Sequence, residues 1–328
     1  MRPITIFTGQ WADMSFEEMC KTASEIGYEG LELATWGKHI DPKKAAEDMG
    51  YVKQIKDTLK KYNLNAWSIS AHLSGQLIGD VLDERHNGFA PSDIINDEKA
   101  IRNWAIQEVN YTIKAAKNLD IKIITGFMGS PIWNYWYSFP QTTQKMVDEG
   151  FNTIVERWTP LFDEMDKNNI KFAFEIHPTE IAYDYYTFVK LLDVFDHRKT
   201  LGMNFDPSHL LWQGIKPHLV IRELPDRVYH VHVKDASVTL DGLTGILGSH
   251  LEFGNTKRGW NFRSPGRGDV DFSAVIRELN AIGYDGPLSV EWEDSGMDRL
   301  RGALEAYKFV KDINISPNVG AFDDALKK

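Results

Sequence analysis

Short apolar or β-branched runs recur along the chain, and each is followed by a longer segment whose apolar residues return at helical spacing. The runs are Ile4–Thr8, Gly30–Thr35, Asn65–Ser70, Lys122–Phe127, Lys171–His177, Leu201–Asp206, Val228–Lys234 and Leu288–Glu293. This alternation is the βα repeat. Ser15-Phe-Glu-Glu18 has the form of a capping box that opens the first helix, and Gly27 closes it. Near the other end, Asp271 starts a helix that runs to Gly283, and Tyr284-Asp-Gly-Pro287 turns the chain into the eighth strand. The spacing predicts further helices over Pro42–Lys61, Asp97–Asn118, Thr143–Asn168, Tyr183–Phe195, Pro217–Leu224 and Asp298–Asp312.

A doubly wound sheet would normally show a glycine-rich phosphate turn after its first strand, and Thr8-Gly9-Gln10-Trp11 is not one. Eight units therefore point to α/β architecture closed as a (β/α)8 TIM barrel, read as one domain over residues 1–328. Two long connections follow strands, near 73–96 and 236–269. Such loops lie on the catalytic face of a barrel, so both are expected to act as lids or substrate walls.

A formal charge of −10 and a pI near 5.5 argue against nucleic acid or anionic lipid as partner. No apolar stretch approaches the roughly 20 residues that span a bilayer. The first residues lead into strand-like sequence without a basic region and long apolar run, so no secretory signal is expected. The single cysteine, Cys20, allows no internal disulfide and suits a reducing compartment, so the cytoplasm is the expected location. It is read as a packed thiol.

Active residues in such barrels come from the carboxyl ends of strands. Here four successive strands end in Glu175, Asp206, His232 and Glu291. Side chains two apart share a face, which pairs Glu175 with His177, His230 with His232 and Glu291 with Glu293. Phe172, Phe174, Val231, Val233 and Val290 then belong on the outer face against the helices. Three carboxylates crowded in a partly dry site repel one another unless a cation compensates them. One divalent ion is the natural candidate, and three oxygen donors with one imidazole suit Mn²⁺ best, with Mg²⁺, Co²⁺, Zn²⁺ and Fe²⁺ as alternatives. His230 is read as a hydrogen-bonded core histidine.

These motifs resemble the sugar phosphate isomerase/epimerase group of the xylose isomerase-like barrel superfamily. The carriers are Phe174-Glu-Ile-His177-Pro, Asn204-Phe-Asp206-Pro-Ser-His209, His230-Val-His232-Val-Lys-Asp235, Pro265-Gly-Arg-Gly-Asp269-Val-Asp271-Phe and Tyr284-Asp-Gly-Pro-Leu-Ser-Val-Glu291. The resemblance implies that Glu175, Asp206, His232 and Glu291 hold the metal and that Glu175 and Glu291 are also the acid/base pair. It implies substrate contacts for His209 and Arg267. A homo-oligomer is a habit of the family. The loop Ser237–Ser264 and the run Trp133-Asn-Tyr-Trp136-Tyr137 go beyond its compact members.

Beside the resemblance, position adds His72, His177 and Lys234 as substrate-binding candidates. Trp11, Trp36, Trp133, Trp136 and Trp260 are candidates for stacking on a small sugar. The chemistry expected is proton transfer through a metal-stabilised enediolate, giving an epimer or an aldose–ketose isomer. The same intermediate can expel a β group instead, which would make the enzyme a dehydratase or a lyase of keto-glycosides. A nuclease would need a basic groove that this charge does not supply. A non-catalytic carbohydrate-binding protein is the remaining class.

Overall fold

The structure, a computed structural model, describes residues 1–317 together with Gly320, Asp323 and Leu326. The last predicted domain residues, 318–319, 321–322, 324–325 and 327–328, lie outside the described residues. Among the described residues ten strands occur in chain order: β1 (Ile4–Phe7), β2 (Gly30–Leu33), β3 (Asn65–Ser70), β4 (Ile123–Gly126), β5 (Lys171–Glu175), β6 (Leu201–Phe205), β7 (Val228–Val233), β8 (Asp235–Val238), β9 (Trp260–Arg263) and β10 (Leu288–Val290). Eight of them close a parallel barrel in the order β1-β10-β7-β6-β5-β4-β3-β2. They coincide with the eight predicted runs.

The outward face is apolar because it packs on helices. Phe172 lies against Trp158 of the helix Gln144–Lys167, with ring centroids 5.0 Å apart, and Phe174 stacks on Phe188 of Tyr185–Val194 at 6.0 Å. Val231, Val233 and Val290 are buried in the same core. The inward face carries the polar residues. Register irregularities between Leu31 and Glu32 and between Met203 and Asn204 set Glu32 opposite Ser68 and Asn204 opposite His230. Such bulges re-aim side chains next to functional sites.

The capping box of Ser15 with Glu18 is present, and Gly27 ends that helix at φ 114°, where a Cβ would meet the Tyr307 ring at 2.9 Å. The stretch read as one helix over Pro42–Lys61 is two, Pro42–Glu47 and Met49–Lys61. Asp48 adopts extended backbone between them because its carboxylate accepts from Gly50 and Tyr51, an alternative to continuing the first helix.

Both long connections carry structure that periodicity missed. The first opens with the helix His72–Gly79. Its glycines disguise it in sequence, yet they permit close approach: a Cβ on Gly75 would sit 2.1 Å from the Phe127 carbonyl oxygen. The second is an antiparallel hairpin of β8 and β9, pairing Asp235 with Arg263 and Val238 with Trp260.

Candidate metal centre

At the barrel axis His230 and His232 extend from β7 toward Glu32 of β2. Glu32 is fully buried, and its Oε2 accepts from His230 Nε2 at 2.8 Å, His232 Nε2 at 2.9 Å and Ser289 Oγ at 2.9 Å. Its Oε1 accepts from Thr125 Oγ1 at 2.6 Å. Burial opposes the charge on Glu32, but the two imidazoles and their hydrogen bonds outweigh it and hold the carboxyl well below the usual range. With Nε2 donating to Glu32, His232 presents Nδ1 to the barrel mouth. Phe7 stacks on the ring, centroids 5.6 Å apart, and fixes its plane.

Around that Nδ1 the predicted ligands gather. Glu291 Oε2 lies 2.8 Å away and Glu175 Oε2 3.2 Å away. Asp206 completes the group, and one donor atom from each of the four residues lies within 4.8 Å of all the others. Local structure positions each one. Asp206 caps the short helix Pro207–Leu211, its Oδ1 accepting from the Ser208 backbone at 2.8 Å and hydroxyl at 2.7 Å. This leaves Oδ2 aimed inward. Asn204 donates to Glu175 Oε2 at 2.9 Å, and the Glu291 backbone continues the strand pairing by donating to the Val233 carbonyl.

The donor set fits a hard divalent ion. Asp206 Oδ2 and Glu291 Oε2 are buried without a hydrogen bond, with His209 Nε2 3.3 Å from the first and His232 Nδ1 2.8 Å from the second. Buried, unpartnered carboxylate oxygens are costly, and coordination would satisfy them.

Electrostatic compensation also comes from the chain itself, a term that the sequence argument for a metal left out. Lys234 Nζ stands 3.2 Å from Glu291 Oε1, 3.3 Å from Glu293 Oε2 and 4.0 Å from Asp206 Oδ2. Burial works against its charge, but the surrounding carboxylates raise its pKa above the ordinary lysine value. His209 Nε2 lies 3.3 Å from both Glu175 Oε1 and Asp206 Oδ2, and against burial Asp206 pushes it up to about 9. For Glu175 and Glu291 too, burial is the largest influence and is overcome by neighbouring cations, so both are held below the usual carboxyl value. Glu293 goes the other way: burial, only partly offset by Lys234, raises it. Crowded acids are thus tolerable here without a metal, and the case for an ion rests on convergent, unpartnered donors.

The remaining predicted residues divide. His72 is buried with Nε2 3.1 Å from Glu175 Oε2 and Nδ1 2.6 Å from Ser70 Oγ. His177, held neutral chiefly by burial and then by the charge of His209, stands edge-on to His209 at 4.1 Å. His177, His209, Lys234, Trp133, Trp136 and Trp260 all line a cavity of about 1020 Å³ that opens from the centre.

Two assignments, Arg267 and Trp11, need correction. Arg267 is exposed and ion-paired with Glu305 on the C-terminal helix, so it points away from the cavity. Its register was obscured by the hairpin. Trp36 is half-buried and packs edge-on at 5.6 Å against Phe7, the ring that stacks on His232. Trp11 is fully buried between Trp292 and Arg299 and offers no stacking face.

Sequence reasoning missed Glu32 and Gln10. Glu32 sits at an inward position within an apolar strand, Gly-Leu-Glu-Leu, and that lone acid was the available signal. Gln10 follows a strand that was read only to exclude a phosphate turn. Its amide donates to Glu291 and Glu293, both at 3.2 Å.

A model of the family described as xylose isomerase-like TIM barrel matches residues 20–313. A Bacillus subtilis (strain 168) protein named uncharacterized protein YfiH is 24% identical over 331 residues, covering 93% of this chain and 98% of its own. An inosose dehydratase of Clostridium perfringens is 27% identical over 191 residues, 58% of this chain and 61% of that one. Among solved structures, the 3-keto-D-glucoside 4-epimerase YcjR of E. coli superposes with a TM-score of 0.67 at 14% identity, covering 95% of this chain and 100% of that chain. IolI protein with a bound zinc atom superposes at 0.65 with 14% identity over 95% of this chain and 98% of its own. At such identities these superpositions establish the fold alone. Among the described residues no helix is long and apolar enough to cross a membrane.

Proposed function

Since this chain belongs to the xylose isomerase-like TIM barrel family, we propose that it is a divalent-metal-dependent enzyme that moves a carbon-bound proton of a keto-sugar, isomerising or epimerising it. The observation that carries this reading is the convergence of Glu175, Asp206, His232 and Glu291 on one point, with two carboxylate oxygens left without partners. These four would hold the ion, Mn²⁺ by the hardness of the donor set, although IolI carries zinc. Bound there, a divalent ion supplies Lewis-acid polarisation of a carbonyl and its neighbouring hydroxyl, which acidifies the C–H between them.

The proton transfer itself falls to the chain. Glu175 and Glu291 project from strands separated by two others in the barrel order, so they address a bound sugar from different sides. Each has a cation beside it that ligation would not remove, His209 at Glu175 and Lys234 at Glu291, and an ionised carboxylate is the form that accepts a proton. Proton return by the second carboxylate to the opposite face gives an epimer; return to the adjacent carbon gives an isomer. Lys234 and His209 bind hydroxyls, His72 and the neutral His177 orient them, and Trp133 covers the sugar face. A single buried Cys20 is consistent with a cytoplasmic enzyme.

Dehydration is the second reading, and one observation favours it. His209 carries a proton 3.3 Å from Glu175, so an acid stands beside a base, the pair that expulsion of a hydroxyl β to a carbonyl requires. The inosose dehydratase similarity points the same way.

Incubating the Mn²⁺-loaded protein in D₂O with D-fructose, D-tagatose, 3-keto-glucose and scyllo-inosose tests both. Deuterium next to the carbonyl, without loss of water, supports isomerase or epimerase chemistry; exchange with loss of water supports dehydration. Glu175→Gln and Glu291→Gln should each cut exchange by at least about a hundredfold. No exchange with any of the four sugars, using Mn²⁺, Mg²⁺, Co²⁺, Zn²⁺ or Fe²⁺, would falsify the proposal.

A further inference from the structure

The cavity above the acidic cluster is larger than a keto-sugar needs. At about 1020 Å³ it sits at the upper end of the roughly 300–1,000 Å³ typical of small-molecule sites. Its floor carries Lys234, His209 and Glu293; its outer half is aromatic. One outer wall comes from the β8–β9 hairpin and the other from the Trp133–Tyr135 turn followed by Trp136.

The hairpin wall is ordered by a continuous ladder of stacked groups. Lys234 Nζ lies 4.4 Å above the Phe262 ring, and Phe262 stacks on Phe253 at 5.3 Å. The Arg258 guanidinium covers Phe253 at 4.3 Å and Trp260 at 4.7 Å, and Trp260 stacks on Trp212 at 4.5 Å with the planes 2° apart. The hairpin base is tied to the barrel by Asp235, whose carboxylate accepts from the backbone of Ala236, Gly266, Gly268 and Val270. This wall is set before any ligand arrives, so a ring entering beside it costs little ordering.

Some polar groups of the outer half are engaged, whereas Trp212 Nε1 and Arg258 Nε have no hydrogen-bond partner among the described residues. The Gln213 amide donates to the carbonyls of Tyr183 and His209, and Arg258 donates to that of Leu251. Contact there is therefore mainly with planar aromatic faces, with few donors beside them. Yet the cavity is continuous with the charged floor, so one molecule can reach both.

From this arrangement we infer that the substrate is a glycoside: a keto-sugar at the acidic cluster whose anomeric oxygen carries a second ring, held in the aromatic outer half of the cavity that Phe253 and Trp136 help to line. This rests on the keto-sugar reading above for the inner half. An aromatic aglycone and the apolar face of a second sugar offer the same chemistry to these walls, and the experiment separates them.

Binding of methyl 3-keto-β-glucoside, phenyl 3-keto-β-glucoside and 3-keto-cellobiose to the Mn²⁺-loaded protein is measured by titration calorimetry, and deuterium exchange is followed on the same three compounds. At least one ring-bearing compound should bind about tenfold or more tighter than the methyl glycoside. Preference for the phenyl compound identifies an aromatic aglycone, and preference for the cellobiose derivative identifies a second sugar. Phe253 and Trp136 are 59% and 47% exposed, so truncating them leaves the core intact. In Phe253→Ala and in Trp136→Ala the advantage of the ring should shrink to within about twofold. Equal affinity for all three compounds, or a preference unchanged in both variants, overturns the inference even where exchange occurs. A ring preference that the variants abolish, without any exchange, keeps the second-ring site and overturns the proton-transfer reading instead.

Discussion

Replacing Glu32 by glutamine isolates the contribution of a carboxylate that touches no substrate. Glu32 accepts four hydrogen bonds, three of them at Oε2 from His230, His232 and Ser289. A glutamine carbonyl oxygen can take those three, and its amide can donate to the Thr125 hydroxyl, so shape and bond count survive. The charge does not. His232 Nε2 would then donate to a neutral amide, leaving Nδ1 a poorer electron-pair donor. Losing a carboxylate behind a ligating histidine typically costs 10–100-fold in metal affinity, about 1.4–2.8 kcal/mol. In metal-free protein the same change removes one counter-charge of a histidine whose pKa stands well above its ordinary value, Glu32 being the strongest of the charges that overcome burial there. Breaking a buried pair from one side costs about 3–5 kcal/mol. That is an upper bound, because Glu291 and Glu175 still face Nδ1. EDTA-stripped wild type and Glu32→Gln would be titrated with Mn²⁺ calorimetrically and unfolded in urea in parallel. Thr125→Val, which removes one bond and no charge, is the control. A Mn²⁺ affinity within twofold of wild type, with an unchanged urea midpoint, would refute the reasoning.

Four further outcomes are expected. In metal-free protein His209 has a pKa raised from 6.5 to about 9, so its stabilisation is fully present below pH 6.5 and lost as pH rises through about 9. At about 1.4 kcal/mol per pH unit this amounts to roughly 3 kcal/mol. Urea unfolding in EDTA should show that decline between pH 6.5 and 9 for wild type and a flatter profile for His209→Gln; parallel profiles would dismiss it. Because His232 keeps its proton well above the usual range, Mn²⁺ uptake near neutral pH should release about one proton, read as a dependence of calorimetric heat on buffer ionisation enthalpy. A free ion concentration of a hundred times Kd should also stabilise the fold by about 2.7 kcal/mol, and an ion that left the unfolding curve unmoved would count against the site. Gly75→Ala places a Cβ 2.1 Å from the Phe127 carbonyl oxygen, a backbone atom that cannot swing aside. A loss of about 1–3 kcal/mol in urea unfolding is expected, and full wild-type stability would mean that the close packing of the helix His72–Gly79 on the barrel is wrong.

Period-2 and period-3.6 patterns are local, so the eight strands, the capped helix after Ser15 and the four residues Glu175, Asp206, His232 and Glu291 could be read from the chain alone. Residues that end consecutive strands of a closed barrel have nowhere to point but its mouth. The helix at His72–Gly79 and the β8–β9 hairpin escaped because their glycines and long connection read as loop, while their stability comes from packing against the barrel. Arg267 was misplaced for the same reason: its position depends on how a long insertion folds, and Glu305, 38 residues further on, decides where it turns. Glu32 lies 198 residues from His230 and 200 from His232. Electrostatic energy depends on distance through space, and only closure of the barrel brings those charges, and the compensating Lys234 and His209, within reach of one another.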